Sequence, residues 1–165
     1  MMNFLHMIEE TGFATWVREA PTIWAFPVIL LIHTLGMGII VGVSAGIDLR
    51  ILGVAPAIRL APMEKFLPIL WFGFWSNAIT GTMLLTADIS VKLTNPDFYV
   101  KMAFIALSLV NLSMMKKYVF RDPQIETGKF TSKARFLAWS SLLCWLVVIT
   151  AGRLLAYVGI YSTYK

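Results

Sequence analysis

His33 is the first side chain in this sequence whose position asks for a chemical explanation. No acidic or basic residue lies between Glu19 and Asp48, so the imidazole sits alone in a long apolar run. A histidine at membrane depth costs free energy unless it has a partner or a ligand, so function is its default reading. Three chemistries are open to it. A neutral His33 can hydrogen-bond a neighbouring helix through Asn77 or a hydroxyl. It can be the axial ligand of haem b, a role imidazole fills readily. His33 and Met37, at i and i+4, can hold copper through imidazole and thioether. The other histidine, His6, lies in a different segment.

Asp88, Lys101 and Arg153 are the next candidates. They sit near the ends of apolar stretches and could form an anion or proton site, or an ion-pair layer with snorkelling cations. Asp88 could pair with Arg153 or Lys101. Asp48-Leu49-Arg50 reads as the polar end of a helix, with Asp48 bonded to nearby backbone or to Arg50. Asn77 and Asn111 read as interhelical hydrogen-bond donors. The one cysteine, Cys144, has no partner for a disulfide within the chain and reads as a small apolar residue. No nucleophile–base pair, phosphate loop or carboxylate dyad is visible.

These residues must be held by helices that tolerate lipid. The 165 residues are 58% hydrophobic and 14% charged, with a mean hydropathy of +0.74. Ordinary soluble domains carry about 25% charged residues. That contrast excludes a soluble enzyme, a disordered chain and a disulfide scaffold. The reading is an all-α integral membrane protein, one domain over 1–165. Spans are expected at about 23–47, 66–87, 98–115 and 136–157, since a spanning helix needs about 20 apolar residues. They would form a four-helix bundle. Ahead of them, 3–19 carries Phe4, Leu5, Ile8 and Trp16 at helical spacing, which reads as a short interfacial amphipathic helix. Asn95-Pro96 and Asp122-Pro123 mark turns.

Rotation at 100° per residue gives each span an inward face. Span one aligns His33, Met37, Ile40, Ser44 and Asp48, with Gly38, Gly42 and Gly46 on another side as a packing or homo-oligomer face. Span two aligns Gly73, Asn77, Gly81, Leu84 and Asp88. Span three aligns Lys101, Phe104, Ser108 and Met115, and span four aligns Trp139, Leu146, Thr150 and Arg153. His33 would lie about 15 Å from the outer end of its span at 1.5 Å per residue.

The formal charge is +5, and nine of the 14 Lys and Arg fall in the loops after spans one and three or at their edges. That bias places those loops in the cytoplasm and both termini outside it. No basic run is interleaved with aromatics, so nucleic acid is not an expected partner. The lipid bilayer is.

The motifs together resemble a family of bacterial inner-membrane proteins without an assigned activity. The resemblance rests on His33-Thr34-Leu35-Gly36-Met37, Gly42, Asp48-Leu49-Arg50-Ile51-Leu52-Gly53, Thr80-Gly81, Asn95-Pro96-Asp97-Phe98 with Lys101, and Gly152-Arg153-Leu154-Leu155-Ala156-Tyr157. These pieces touch all four spans. More distantly, the chain is similar to HemJ-type protoporphyrinogen oxidases and to copper-resistance D membrane domains. His33 and Lys101 would match the early histidine and later lysine of the haem-binding HemJ type. The arginine-rich segment of that type is absent, Arg135 being followed by Phe136-Leu137-Ala138-Trp139.

The resemblance and the residues lead to one expectation. This would be a haem-b-binding protein of the bacterial inner membrane, in electron transfer or haem-linked redox chemistry, with His33 on the iron. It could be a membrane oxidoreductase with a quinone or redox partner. Met37, Lys101, Asp88 and Arg153 would complete the cofactor site. The alternatives are a non-catalytic accessory membrane subunit with a hydrogen-bonded histidine, and a copper or proton permeation protein.

Overall fold

The computed structural model describes residues 2–122 and 130–162. Pro123, Gly128, Lys129 and Lys165 lie outside them. Among the described residues the chain is all-helical: α1 (Met2–Glu9), α2 (Gly12–Glu19), α3 (Phe26–Leu52), α4 (Leu67–Ala87), α5 (Ile89–Thr94), α6 (Pro96–Met115) and α7 (Ser132–Ser162). A 3-10 segment, Ala61–Phe66, leads into α4, and a π-helical segment, Lys116–Phe120, prolongs α6. Among the described residues, three helices are long and apolar enough to cross a membrane: Phe26–Leu52, Pro96–Phe120 and Ser132–Leu155. The fourth expected span is α4, a 21-residue helix with no charged residue. It is not among those three helices.

Local chemistry sets the helix ends. Pro27 starts α3 in its first turn, where a missing N–H is tolerated. Gly53 ends it at φ 92°, a left-handed conformation that suits glycine. The Gly53 N–H donates to Arg50 O at 3.2 Å and the Val54 N–H to Leu49 O at 3.0 Å. This paired cap carries α3 past the expected end at 47, so Asp48 and Arg50 lie inside its last turns. Asn95 caps α6 by accepting the Asp97 N–H at 2.9 Å, with Pro96 next in line. The stretch expected to be only a connection, 88–97, contains the short helix α5.

The long helices pack in the order α4, α3, α7, α6. One apolar cluster joins Ile40, Leu70, Trp145 and Val148 in the middle. A larger one, including Ile47, Ile51, Leu67, Met115 and Leu137, fills the end where α3 finishes. At the opposite end Val17, Ile29 and Ala87 form a third, tying α2 to the start of α3 and the end of α4.

The expected amphipathic segment 3–19 is two helices rather than one. Thr11 breaks it, its hydroxyl accepting from the Ala14 N–H. The buried residues of α2 are Ala14 and Val17, whereas Phe4 and Trp16 are exposed. Together α1, α2 and α5 cap the bundle at the His33 end. The cap is electrostatic as well as apolar. Arg18 Nη1 donates to Ala87 O at 3.1 Å, and Lys92 Nζ donates to Leu84 O. These cations satisfy carbonyls that the end of α4 would otherwise leave bare, and they oppose its dipole. Glu9 Oε1 accepts from the Ser90 N–H at 2.8 Å and from the Ser90 hydroxyl at 2.6 Å, joining α1 to α5.

Burial on its own would raise the Glu9 pKa, but the Ser90 hydrogen bonds and His6 outweigh it and hold the carboxyl below its usual range. Its stabilising effect is therefore complete above the unfolded value and is lost as pH falls through the lower folded value. Glu9→Gln should weaken docking of α1 by roughly 1–2 kcal/mol. The readout is a loss of α1 amide protection, taken relative to intrinsic exchange at each pH, in the wild type on acidification, a loss the variant lacks.

Candidate functional site

His33 is placed by the crossing of α3 and α4. Gly36 and Gly73 meet there. A Cβ added to Gly36 would come within 3.0 Å of Gly73 O, and one added to Gly73 within 3.1 Å of Gly36 O. Backbones this close bring Asn77 against the turn that carries His33. Asn77 Nδ2 donates to His33 O at 2.7 Å. The imidazole lies against Gly81, where an added Cβ would be 3.0 Å from His33 Cε1. Any side chain at position 81 would displace the ring.

The hydrogen bonds define the ring's tautomer. His33 Nδ1 is 3.0 Å from Asn77 O and 3.1 Å from Thr80 Oγ1. Thr80 donates its own proton to Ser76 O at 2.7 Å, so its oxygen is an acceptor toward the ring. Both neighbours of Nδ1 accept, and a carbonyl can do nothing else. Nδ1 therefore carries the proton. In the neutral ring the lone pair is on Nε2, which has no hydrogen-bond partner among the described residues.

Lys101 on α6 and Lys92 on α5 are near enough to act on His33 electrostatically. Lys101 is half-buried and packs along Gly152 of α7. It makes no hydrogen bond or ion pair among the described residues. Lys92 was not anticipated as part of this region, although its place four residues after Asp88 is a readable i,i+4 signal. Asp88 pairs with Lys92 at 3.7 Å, not with Arg153 or Lys101. The break between α4 and α5 at Asp88 sets that choice, because it starts the turn that carries Lys92 back over α4. Burial pushes Lys92 below the usual lysine range, with Asp88 opposing.

The remaining candidates are dispersed. Met37 packs against the central cluster of Ile40, Leu70, Trp145 and Val148. Arg153 is exposed on α7. The expected inward face of α7 is overturned: Trp139 and Leu146 are 58% and 60% exposed, while Ala134, Leu137, Ala138, Ser141, Trp145 and Val148 face the interior. Both α6 and α3 pack on α7, and the face between them mixes small residues with Leu137, Trp145 and Val148. His6 is engaged with Glu9 at 3.2 Å on α1. Among the described residues, no three His, Cys, Asp or Glu side chains converge as a metal site.

Asp48 also departs from expectation. It is fully buried, and among the described residues neither carboxylate oxygen has a hydrogen-bond partner. Arg50 turns away, its Nε donating to Ile58 O and its guanidinium lying 5.5 Å from the Phe130 ring centre. Asn111 does join two helices, its Nδ2 donating to Leu137 O at 3.1 Å and to the Ser140 hydroxyl.

No protein-family model, curated protein or solved structure matches this chain.

The close approach of α3 and α4 gives a direct contrast between glycines. Gly36→Ala must push the two backbones apart and should cost about 1–3 kcal/mol, the usual range for overpacking. Gly42→Ala meets open space within the chain and should leave unfolding unchanged or slightly later. Thermal unfolding in detergent, followed by tryptophan fluorescence, compares them.

Proposed function

We propose that this chain is an integral membrane protein of four spans that binds haem b through His33 Nε2. The observation that carries the reading is the locked tautomer. Ligating histidines commonly donate their second ring nitrogen to a carbonyl, which orients the ring and raises its basicity. Here Asn77 O and Thr80 Oγ1 take the Nδ1 proton. That leaves Nε2 as the donor atom for iron. Lys101 and Lys92 supply positive charge on the side of His33, which suits propionates or a quinone-like head group. Bound haem would supply one-electron exchange. The protein's own part is to orient the imidazole, hold cations near it and exclude water by helix packing.

The same reading takes α4 as the fourth span, since its 21 residues carry no charge and it packs along α3. It takes α1 and α2 as lying at the membrane surface. The basic loops would face the cytoplasm of a bacterium and both termini the other side. Gly38 and Gly42 form an uncovered strip of α3, which suits contact with a second copy.

A second reading has its own observation. His33 is already hydrogen-bonded to α4, as a purely structural histidine in an accessory membrane subunit would be. Visible absorption separates the two. Protein purified in detergent from haem-replete cells should show a Soret band that His33→Ala abolishes while the helical circular dichroism persists. A folded, colourless wild-type protein that also fails to take up added haemin would leave the accessory reading standing.

A further inference from the structure

Asp48 is about four helix turns from His33 along α3, and nothing in the haem reading uses it. Its setting is unusual for a carboxyl. The side chain is 0% exposed, both oxygens lack a hydrogen-bond partner among the described residues, and the nearest cation in sequence, Arg50, is committed to Ile58 O and the Phe130 ring. An ionised carboxylate taken out of water without a countercharge is severely penalised, and neutralisation relieves that penalty. On its own helix the only charged neighbour is Arg50. From α7 it meets the Ser141 hydroxyl, and no charged side chain of α4, α6 or α7 among the described residues acts on it.

The surroundings say which cation neutralises it. Trp145 Nε1 donates to Ser44 Oγ at 3.0 Å, and Ser44 Oγ is 3.4 Å from Ser141 Oγ. An indole N–H can only donate. The chain of groups therefore runs from Trp145 through Ser44 to Ser141, beside the carboxyl. One lone pair of Ser44 is already used. What remains is too few oxygen ligands for a metal cation, which needs about six. A proton needs only one oxygen.

We propose that Asp48 is a proton-binding site inside this membrane domain, its carboxyl carried as the neutral acid between α3 and α7 with the Ser141 hydroxyl at its edge. Protonation would occur where the rest of the α3–α7 contact is apolar or hydroxyl-lined, so the proton is held by the fold rather than by solvent.

Infrared spectroscopy of the full-length protein in detergent tests this directly. The wild type should show a carboxylic-acid C=O stretch at neutral pH that shifts down in heavy water and disappears in Asp48→Asn. Asparagine matches the neutral acid in shape, so its melting temperature should stay within a few degrees of the wild type. Should Asp48→Asn fail to fold, wild-type protein labelled with carboxyl-13C aspartate replaces it. One of its four aspartate signals should have the shift of a neutral acid and move in Ser141→Ala. The proposal is overturned if the Asp48 carboxyl reads as ionised at neutral pH by either method. It is equally overturned if added sodium raises the wild-type melting temperature and Asp48→Asn abolishes that rise, because the occupant is then a metal cation. The result does not depend on haem: a colourless protein with this band would retain the proton site and lose only the haem reading.

Discussion

The contact on which the rest depends is the meeting of Gly36 and Gly73. Two helix backbones can approach this closely only where neither carries a side chain. Once they do, His33 and Asn77 fall opposite each other, the ring reaches Asn77 O and Thr80, and Gly81 leaves room for its edge. Each of these consequences is a matter of one or two ångströms. A bulkier residue at the crossing would separate the helices and strand two sets of polar groups together. The histidine is thus positioned by glycines that have no chemistry of their own.

The same logic governs how polar groups survive in an apolar fold. Serine and threonine hydroxyls mostly return to their own helix: Thr34 to Leu30 O, Thr82 to Ala78 O, Ser108 to Phe104 O, Ser113 to Leu109 O. Such local bonds cost nothing in packing and link nothing together. The few polar groups that cross between helices carry the specificity: Asn77 and Thr80 toward His33, Asn111 toward α7, and Trp145 toward Ser44. Asp48 is the exception, a fully buried group with no hydrogen bond to its own helix and only the Ser141 hydroxyl of α7 beside it. The cations at the His33 end are divided in the same way. Arg18 and Lys92 are committed to carbonyls of α4, whereas Lys101 is not.

Much of the architecture was legible in the sequence because lipid imposes a simple rule on composition. Long uncharged runs fixed where α3 and α4 lie, and the rotation of α3 correctly placed Ile40, Ser44 and Asp48 inside. The failures have physical causes. The end of α3 depends on the left-handed Gly53, which a count of apolar residues cannot see. The face of α7 departs from its expected rotation because aromatic and polar residues lie on both sides of the helix: Trp139 and Thr150 are exposed, whereas Trp145 and Ser141 turn inward with Ala134, Leu137, Ala138 and Val148. The Asp88 pairing depended on a short helix inside an apparent turn. Of the candidate site, His33 and its partners Asn77 and Thr80 were within reach of periodicity. The pairing of Lys92 with Asp88 was readable from their i,i+4 spacing, but its place beside His33, like the approach of Gly36 to Gly73, required the three-dimensional packing.

The capping of α4 by Arg18 sets an order of events during synthesis. The two groups are 69 residues apart in sequence, so the Arg18 guanidinium has no carbonyl to cap until α4 has been made. Val17 of the same helix can meet Ile29 of α3 earlier, but its other neighbour, Ala87, is also at the end of α4. The α2 contact is therefore completed only after α3 and α4 have paired. Whatever delays its closing would leave carbonyls of α4 bare in an otherwise packed bundle.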